Sequence, residues 1–471
     1  MTPLLDELVG AAADIVRRPL PTNVRTHAAL LAADTLGVAL AAGRRPESSA
    51  LVHGDDLTGS WLLAGPGPLP DAQPASSPLT TPRPGPVPGA EAGSIAPGDQ
   101  PLARFLTAGY GYGRPDRAAY VNATITCALE LDEGTRPTGH PAAHVLPAAL
   151  AAGEVVGASW RAVITAFVAG YEVAAGLFDG LRLRAPTHPH GHLGAAGAAV
   201  AVALLTGDDP LAMARAAATI PLLTTWAPPI EGANVRNTWA GHAASAGLLA
   251  RRLVRAGFRG SPSSYDAAFD GLAGDRVEID PALVGTRITG GYVKLYSACA
   301  ITHSAIEAAL ALYPGGPVES VRVAVNANSL KTAPPPGDSD LSRRFSIPYA
   351  VAVALLRGDA GRSRFDTPDP DALDLAQRVT VVEDPDATAA WPRLAPARVT
   401  VTGPDGAVRT SRADDAYGHP GNPASRDAVR DKFLALSERD TATWDLLTSP
   451  ESTAPVGEIL DRLTGCHPIQ R

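Results

Sequence analysis

The amino-acid sequence predicts a mainly α protein with a second, α+β domain, and three observations carry this prediction. Up to about residue 270 the apolar residues recur at helical spacing in Ala- and Leu-rich segments, with little strand pattern. Between 274 and 400, short segments with alternating or β-branched residues favour strands. From 401 onward the pattern returns to helix. The simplest architecture is an all-helical domain built from residues 1–273 and 401–471, with an α/β lid domain over 274–400.

Individual elements follow from the same patterns. In the helical domain we expect helices over 3–18, 24–42, 121–131, 146–157, 159–178, 209–220 and 242–258, and a Gly/Ala-rich helix that ends at Gly207. In the α/β domain we expect strands in RITGGYVKLYS, SVRVAVNAN, QRVTVVED and ARVTVTGP, with helices over 303–313 and about 345–357.

A stretch from about 58 to 101 differs from its surroundings in composition. It is so rich in Pro, Gly and Ser that it cannot bury enough apolar surface to fold alone. We interpret it as an inserted loop or linker and expect turnover to continue without it.

Composition restricts the classes of function. The 471 residues are 45% apolar and carry a formal net charge of -8 with no Lys/Arg-rich run, which argues against nucleic acid as a partner. Three scattered cysteines give neither a disulfide framework nor a CxxC pair, which fits a reducing cytoplasm. The N-terminus lacks a basic signal-peptide region, and no apolar run long enough for a membrane span is free of charges or Gly/Pro breaks. We therefore predict a soluble, cytoplasmic protein whose partner is a small molecule.

The segment 120–150 is the first candidate for a functional site. An apolar helical pattern is interrupted by a polar loop that carries Asp132, Glu133, Arg136 and His140, after which an apolar helix resumes. A charged loop held between two buried helices is a typical support for catalytic groups. The alternative is an ordinary helix connection with solvated charges.

Four separated segments carry a family resemblance. They are NATITCALELDEGTRPTGHPAAHVLPAAL, GYEVAAGLFDGLRLRAPTHPHGHLGAAGAA, YVKLYSACAITHSAIEAAL with RRFSIPYAVAVALLRG, and DDAYGHPGNPASRDAVRDKF. In this order they resemble the MmgE/PrpD family of 2-methylcitrate dehydratases, cis-aconitate decarboxylases and iminodisuccinate epimerases. The resemblance covers about residues 5–465 apart from the Pro-rich stretch. It implies a helical domain with an α/β lid, a homodimer, and catalysis with neither a metal nor an organic cofactor.

The resemblance also implies a lyase that acts on a carboxylate. Removing a proton α to a carboxylate requires a base, a proton donor and cations that clamp the carboxylates. We expect a dehydratase that removes water from a 2-hydroxy di- or tricarboxylate, either methylcitrate-like or a specialised substrate of secondary metabolism. A decarboxylase of a cis-aconitate-like acid and an epimerase of a dicarboxylate are the alternatives. The non-enzyme alternative is an inactive family member that serves as a binding subunit.

Site residues are carried over position by position. The resemblance assigns catalytic roles to His140, His188, His303, Tyr349 and Glu130, and substrate-binding roles to Lys294, Arg236, Arg136, Asp132, His190 and His192. Within this set His140 is expected as general acid/base, because imidazole titrates near neutral pH. The structural alternatives are a capping His140 before Pro141 and a Tyr349 buried in a core helix.

Departures from the family pattern put the substrate in doubt more than the reaction class. The first acid of the family's LDFDD run is the longer Glu130 here, and Arg136 replaces a frequent histidine. His190 and His192 replace two threonines. Arg236 replaces a lysine, which changes a point donor into a fork suited to bidentate carboxylate binding.

Two further interpretations are open to test. The spacing His188-x-His190-x-His192 suits zinc if the segment is a strand. It leads straight into a Gly/Ala helix, however, and the resemblance implies a metal-free site, so we expect no metal. Cys299 stands at a family cysteine position with a structural character, so we do not expect a nucleophile there.

Overall fold

A computed structural model describes residues 3–53, 102–107, 111–220 and 223–465. The fold is mainly helical with a small mixed sheet in the C-terminal region, which confirms the predicted fold class. The helices are α1 Leu4–Val16, α2 Thr22–Ala42, α3 Pro46–His53, α4 Pro115–Thr126, α5 Pro141–Val155, α6 Trp160–Asp179, α7 Gly194–Thr206, α8 Pro210–Ala218, α9 Ala227–Glu231, α10 Thr238–Arg255, α11 Ser264–Phe269, α12 His303–Leu310, α13 Asp340–Arg344, α14 Ile347–Arg357, α15 Ser363–Asp366, α16 Pro370–Ala376, α17 Pro385–Ala390, α18 Arg426–Ser437, α19 Thr441–Leu447 and α20 Val456–Thr464. The strands are β1 Ala103–Arg104, β2 Tyr112–Gly113, β3 Leu181–Leu183, β4 Gly274–Arg276, β5 Ser320–Val325, β6 Val379–Glu383, β7 Ala397–Thr402 and β8 Val408–Ala413.

The helical core is built on close backbone contacts between small residues. Helices α6 and α7 meet at Gly170 and Gly197, where a Cβ on Gly170 would lie 2.5 Å from the carbonyl oxygen of Gly197. A Cβ on Gly197 would lie 2.3 Å from the carbonyl oxygen of Gly170, so neither position accepts a larger residue without moving a helix. The Gly/Ala-rich pattern of α7 therefore forms an interior layer.

A second, separate core surrounds the four-stranded sheet. Its strand order is β6-β5-β7-β8, with β5 parallel to β6 and antiparallel to β7, and β7 antiparallel to β8. Alternate residues of β5 (Val321, Val323 and Val325) are buried, as the period-2 pattern requires. Helices α12 and α14 belong to the same core.

Two details of the α/β region differ from the sequence-based expectation. Strand β8 is absent from that expectation because it is a polar edge strand without a fully buried residue, and it carries the sheet to Ala413, beyond the predicted boundary at 400. The segment RITGGYVKLYS is not a strand. It forms a 3-10 helix at Arg287–Gly290 and then makes a single bridge between Tyr292 and Gly134, since consecutive glycines weaken a ladder.

The N- and C-terminal segments meet beneath the polar loop after α4. The ammonium of Lys432 in α18 donates to the carbonyl of Leu131 (2.8 Å) and pairs with Asp34 in α2 (2.7 Å). Through Lys432, helices α2 and α18 together hold the start of this loop, so segments from both ends of the chain support it.

Helix α6 is long and apolar enough by composition to cross a bilayer, yet 83% of its most apolar window is buried inside the fold. This is the burial of a core helix. The Pro-rich stretch at about 58–101 and Cys466 lie outside the described residues.

Candidate active site

Residues 129–135 of the loop between α4 and α5 are buried, which is unusual for a polar connection. Glu130 has φ of 50°, and this left-handed conformation is uncommon for a side chain that is not Gly, Asn or Asp. Gly134 exchanges two backbone hydrogen bonds with Tyr292, at 3.2 and 2.7 Å, and a Cβ on Gly134 would lie 2.2 Å from the tyrosine hydroxyl. The loop is therefore held in one shape by the segment that precedes the α/β core.

A cavity of about 230 Å³ opens beside this loop. Both the helical core and the α/β region contribute to its wall. Its lining includes Glu130, Arg136, His140, Arg182, His188, Trp226, Arg236, Tyr292, Cys299, Asn328, Lys331, Phe345, Trp391 and His419.

A buried row of alternating charges ends at one imidazole of this wall. Arg236 Nη1 lies 2.7 Å from Glu130 Oε1, and Lys294 Nζ donates to Glu130 Oε2 at 2.9 Å. The same ammonium donates to Asp132 Oδ1 at 3.2 Å, and Asp132 Oδ2 lies 2.8 Å from His140 Nδ1. We call this row the Asp132 chain. The charges of its two cations and two carboxylates sum to zero, so a proton on His140 gives the chain a net positive charge.

The Asp132 chain fixes the tautomer of His140. Nδ1 faces two acceptors, the carboxylate of Asp132 and the backbone carbonyl of Glu133 at 2.7 Å, and so it carries a proton. In the neutral ring Nε2 then holds the lone pair. The side chain is 13% exposed, whereas Asp132 and Lys294 are at most 1% exposed. Nε2 of His140 is therefore the nitrogen that can exchange a proton at the cavity.

The carboxylate and ammonium behind His140 stay ionised despite their burial. Burial alone would raise the pKa of Asp132, but Lys294, His140 and Arg236 outweigh it and hold the pKa well below its usual range. Burial opposes the charge of Lys294 as well, yet Asp132 and Glu130 raise its pKa above the ordinary value. The carboxylate that faces His140 Nδ1 is therefore ionised.

Glu133, next to Asp132, behaves differently. Burial raises the pKa of Glu133 to about 8, although the backbone N–H of Ala142 and the hydroxyl of Tyr171 donate to its oxygens. Near neutral pH, Asp132 is therefore ionised and the adjacent Glu133 is mostly protonated and neutral.

A second row, the Asp415 chain, lies at another part of the wall. Arg136 forms a two-pronged ion pair with Asp415, and its Nη2 donates to Nδ1 of His419 at 2.7 Å. Nε2 of His419 then donates to Nδ1 of His303 at 3.4 Å. Nε2 of His303 donates in turn to the carbonyl of Ala298 at 2.9 Å. Burial lowers the pKa of His303 to about 3 and that of His419 well below its ordinary value. Every nitrogen of both rings is used.

Three imidazoles stack behind and beside the cavity. The rings of His140 and His190 are nearly parallel at 4.4 Å, and those of His190 and His188 at 5.2 Å. Nδ1 of His188 accepts the backbone N–H of His190 at 3.1 Å, which leaves the proton of a neutral His188 on Nε2. His190 Nδ1 lies 3.1 Å from Nε2 of His144. Burial lowers the pKa of His144 to about 3 and those of His188 and His190 well below the ordinary value, so these rings are neutral.

The structure brings most of the expected site residues together. Those that line the cavity are Glu130, Arg136, His140, His188 and Arg236. Those that lie directly behind it are Asp132, Lys294 and His190.

Three expected site residues lie elsewhere, and each has a physical reason. His192 is buried and stacks on Phe269 at 4.9 Å. His303 is buried, and its two nitrogens are engaged in the Asp415 chain. Tyr349 belongs to the α/β core, where its hydroxyl donates to the carbonyl of Arg364 at 2.8 Å. His303 and Tyr349 have their polar atoms engaged by protein partners, and none of the three residues lines the cavity. Their catalytic and substrate-binding roles stay predictions.

Sequence reasoning missed Tyr292, His419 and Lys331 as cavity residues. The first two had a signal, since they lie in the segments YVKLYS and DDAYGHPGNP that carry the family resemblance. Their rings are parallel at 4.7 Å. Lys331 had no such signal.

The donors available to a cation differ from the His188, His190 and His192 spacing considered in the sequence. Among the described residues, Cys127, Asp132 and His190 bring ligand atoms within 4.8 Å of one another. Both oxygens of Asp132 are already held by Lys294 and His140, and the ammonium would repel a cation. Cys299 lines the cavity, but burial raises its pKa to about 11, so it is a neutral thiol and a poor nucleophile.

A buried carboxylate–imidazole pair opens into a cavity between the helical core and the α/β core, an arrangement suited to acid–base chemistry. The MmgE/PrpD N-terminal domain matches residues 96–274, and the MmgE/PrpD C-terminal domain matches residues 296–443. The chain belongs to the MmgE/PrpD family, which confirms the resemblance seen in its motifs.

Two relatives of known name are similar over most of the chain. The cis-aconitate decarboxylase of Mus musculus is 26% identical over 400 residues, which cover 76% of this chain and 80% of the relative. The cis-aconitate decarboxylase of Homo sapiens is 24% identical over 382 residues, which cover 75% and 78%. Both are lyases, so the prediction of an enzyme of the lyase class is supported. The predicted dehydratase subtype is not confirmed.

Proposed function

We propose that this protein is a lyase that removes CO2 from an unsaturated polycarboxylate of the cis-aconitate type, with His140 as the proton carrier. The observation that carries the proposal is the Asp132–His140 pair, which leaves Nε2 of one imidazole for proton exchange at the cavity. The similarity to two cis-aconitate decarboxylases supports decarboxylation over the dehydration favoured by the sequence motifs.

The reaction needs one proton and one leaving group. In a β,γ-unsaturated acid, the imidazolium of His140 gives its Nε2 proton to the alkene carbon remote from the departing carboxylate, and the alkene electron pair forms the new C–H bond. The C–C bond to that carboxylate breaks, its electron pair becomes the new alkene, and CO2 leaves. One solvent proton restores the imidazolium. Asp132 acts by stabilising the protonated ring, a general-acid arrangement.

The wall of the cavity suits both the substrate and the product. With His140 protonated the Asp132 chain carries a net positive charge, which complements a carboxylate in a water-poor site. Trp226, Phe345 and Trp391 supply apolar surface where a charged carboxylate becomes neutral CO2. Loss of that charge is easier against apolar groups than in water.

Dehydration is the second candidate, and His188 favours it. Its ring lines the same cavity and keeps a proton on Nε2, because Nδ1 accepts the N–H of His190. In a 2-hydroxy di- or tricarboxylate, neutral His140 would take the proton α to a second carboxylate, from the carbon next to the C–OH group. The C–H electron pair forms the alkene as the C–O bond breaks. The hydroxyl accepts a hydrogen bond from the N–H of His188 and leaves as water with the proton that His140 took up. The same site residues serve both reactions with opposite starting protonation of His140.

The deciding experiment is turnover in D2O with a panel of unsaturated and 2-hydroxy di- and tricarboxylates, followed by proton NMR on chelator-treated protein. Decarboxylation predicts a product one carbon shorter with one deuteron at the newly protonated carbon. Loss of water from a hydroxy acid without loss of CO2 would establish the dehydratase instead. Neither reaction with any panel member would contradict the proposal and favour a binding subunit.

A further inference from the structure

The cations at the cavity fall into two classes. Arg136 and Arg236 are paired with buried carboxylates of the protein, Asp415 and Glu130. Lys331 and Arg182 also line the cavity, but they are exposed and form no ion pair with any residue in the described ranges. Their positive charge is therefore available to an anion that enters from solvent.

Lys331 is held in place even though it is exposed. It lies in a 3-10 helix, Ala327–Thr332, of the α/β region, and its Nζ donates to Asn328 Oδ1 at 2.7 Å. The ammonium is 4.5 Å from the ring centroid of Trp226, a cation–π contact. Trp226 packs in turn on His188, with ring centroids 4.4 Å apart. The ammonium is thus one aromatic ring away from the imidazoles of the site.

Arg182 reaches the cavity from the other part of the fold. It lies in β3, which pairs with β4 beside the helical core, whereas Lys331 comes from the α/β region. An anion at the mouth that meets both side chains would contact both parts of the protein.

The use of lysine in this chain singles out Lys331. The chain has three lysines among its 40 lysines and arginines, and all three lie in described segments. Lys294 and Lys432 are ion-paired, their own side chains are at most 8% exposed, and both bond to the loop between α4 and α5. Lys331 is the remaining lysine, and its side chain lines the cavity.

We propose that Lys331 and Arg182 form a second carboxylate subsite at the mouth of the cavity, which makes the enzyme selective for polycarboxylates. The inference rests on the proposed function, because it places the reacting end of the substrate beside His140 and Arg236 and a distal carboxylate at the mouth. A monocarboxylate occupies only the part of the cavity beside His140 and Arg236, so Lys331 contributes nothing to its affinity.

Binding can be measured without turnover by reductive 13C-methylation, which keeps the charge on lysine. The dimethyl signal of Lys331 is assigned by its loss in Lys331→Arg. Titration with propane-1,2,3-tricarboxylate is expected to shift that signal, while propanoate at equal ionic strength leaves it unmoved. An unmoved signal at tricarboxylate concentrations that saturate the enzyme, or an equal shift with propanoate, would overturn the subsite.

Kinetics give an independent test. Lys331→Gln is expected to raise KM for the polycarboxylate about tenfold, the effect of one ion pair of roughly 1.4 kcal/mol, with kcat nearly unchanged. Lys331→Arg should recover most of the affinity. The matched control is Arg322→Gln, which removes an exposed positive charge of β5 outside the cavity wall.

The two proposals fail in different ways. If the wild type turns over a polycarboxylate and Lys331→Gln keeps its KM, the subsite is wrong and the lyase stands. If the wild type turns over no acid of the panel while the methyl signal of Lys331 responds selectively to tricarboxylates, the subsite stands and the proposed reaction is wrong.

Discussion

The Asp132 chain and the Asp415 chain are built from the same kinds of residue but end differently. Each starts from an arginine–carboxylate pair and leads to histidine. The Asp132 chain ends at His140, whose Nε2 is left for the cavity. The Asp415 chain runs through His419 to His303 and ends on the carbonyl of Ala298, with all four ring nitrogens engaged. Connectivity, and not residue type, decides which imidazole can carry a proton.

The largest effect is expected from replacing the two terminal histidines in parallel. His140→Gln should lower kcat by about 10²–10⁴, the usual contribution of a general acid or base. His303→Gln should keep kcat within about tenfold while lowering the free energy of unfolding, because it removes a buried hydrogen-bond partner. Steady-state kinetics and urea unfolding of both variants make the comparison. Equal losses of kcat would contradict the distinction between the chains.

Asp132→Asn tests how the first chain acts on His140. The amide cannot at once accept from His140 Nδ1 and from Lys294 with both of its atoms, so one contact of the chain is lost. We expect kcat to fall by roughly 10²–10⁴, as for other imidazoles that lose their orienting carboxylate. Asp415→Asn is the matched variant in the second chain, and its kcat should fall much less. The reverse order of the two effects would exchange the roles of the chains.

Glu133→Gln tests whether Glu133 is neutral in the folded protein, in contrast to the ionised acids of the same loop. The folded pKa of Glu133 is raised to about 8 from an ordinary 4.5, so ionisation favours the unfolded state. Stability is therefore full below about pH 4.5 and falls toward pH 8, by at most roughly 1.4 kcal/mol per pH unit. The substituted amide does not ionise and removes that loss, so the variant should match the wild type at pH 5 and exceed it at pH 8 in urea unfolding. An unchanged pH slope would show that Glu133 is ionised in the fold.

Tyr349→Phe is expected to give the smallest effect on activity. Its hydroxyl bonds to the backbone of Arg364 and Asp369 in the α/β core and not to the cavity. We expect kcat/KM to change less than about twofold and the free energy of unfolding to fall by about 1–2 kcal/mol. Tyr292→Phe, in the cavity wall, is the comparison. A large loss of kcat in Tyr349→Phe would restore its expected catalytic role.

Much of the fold and part of the site could be predicted from the sequence. Helical periodicity located α2, α6 and α14, because long apolar patterns have few alternatives. The polar edge strand β8 was not predicted because it buries almost no side chain. The segment RITGGYV has the residue pattern of a strand, but its consecutive glycines weaken a strand ladder, and it forms a 3-10 helix instead. The same edge strand carries the sheet past the predicted boundary near 400, to Ala413.

Motifs found the loop from Glu130 to His140 but could not rank its histidines against distant ones. His140 and His303 both stand in family motifs, and only the hydrogen bonds of Asp132 and Ala298 distinguish them. Such pairings join residues far apart in the chain, so no local pattern contains them. Lys331 is missed for the same reason, since its role depends on which cations already have carboxylate partners.

The most direct test of this account is the tautomer of His140, read from long-range 1H–15N spectra of 15N-histidine-labelled protein. Of the 11 histidines, His140, His303 and His419 are assigned by loss of their signals in single Gln variants. In the neutral rings we predict the proton on Nδ1 of His140 and on Nε2 of His303 and His419. A neutral His140 with its proton on Nε2 would show that Asp132 does not orient it, and would contradict the account.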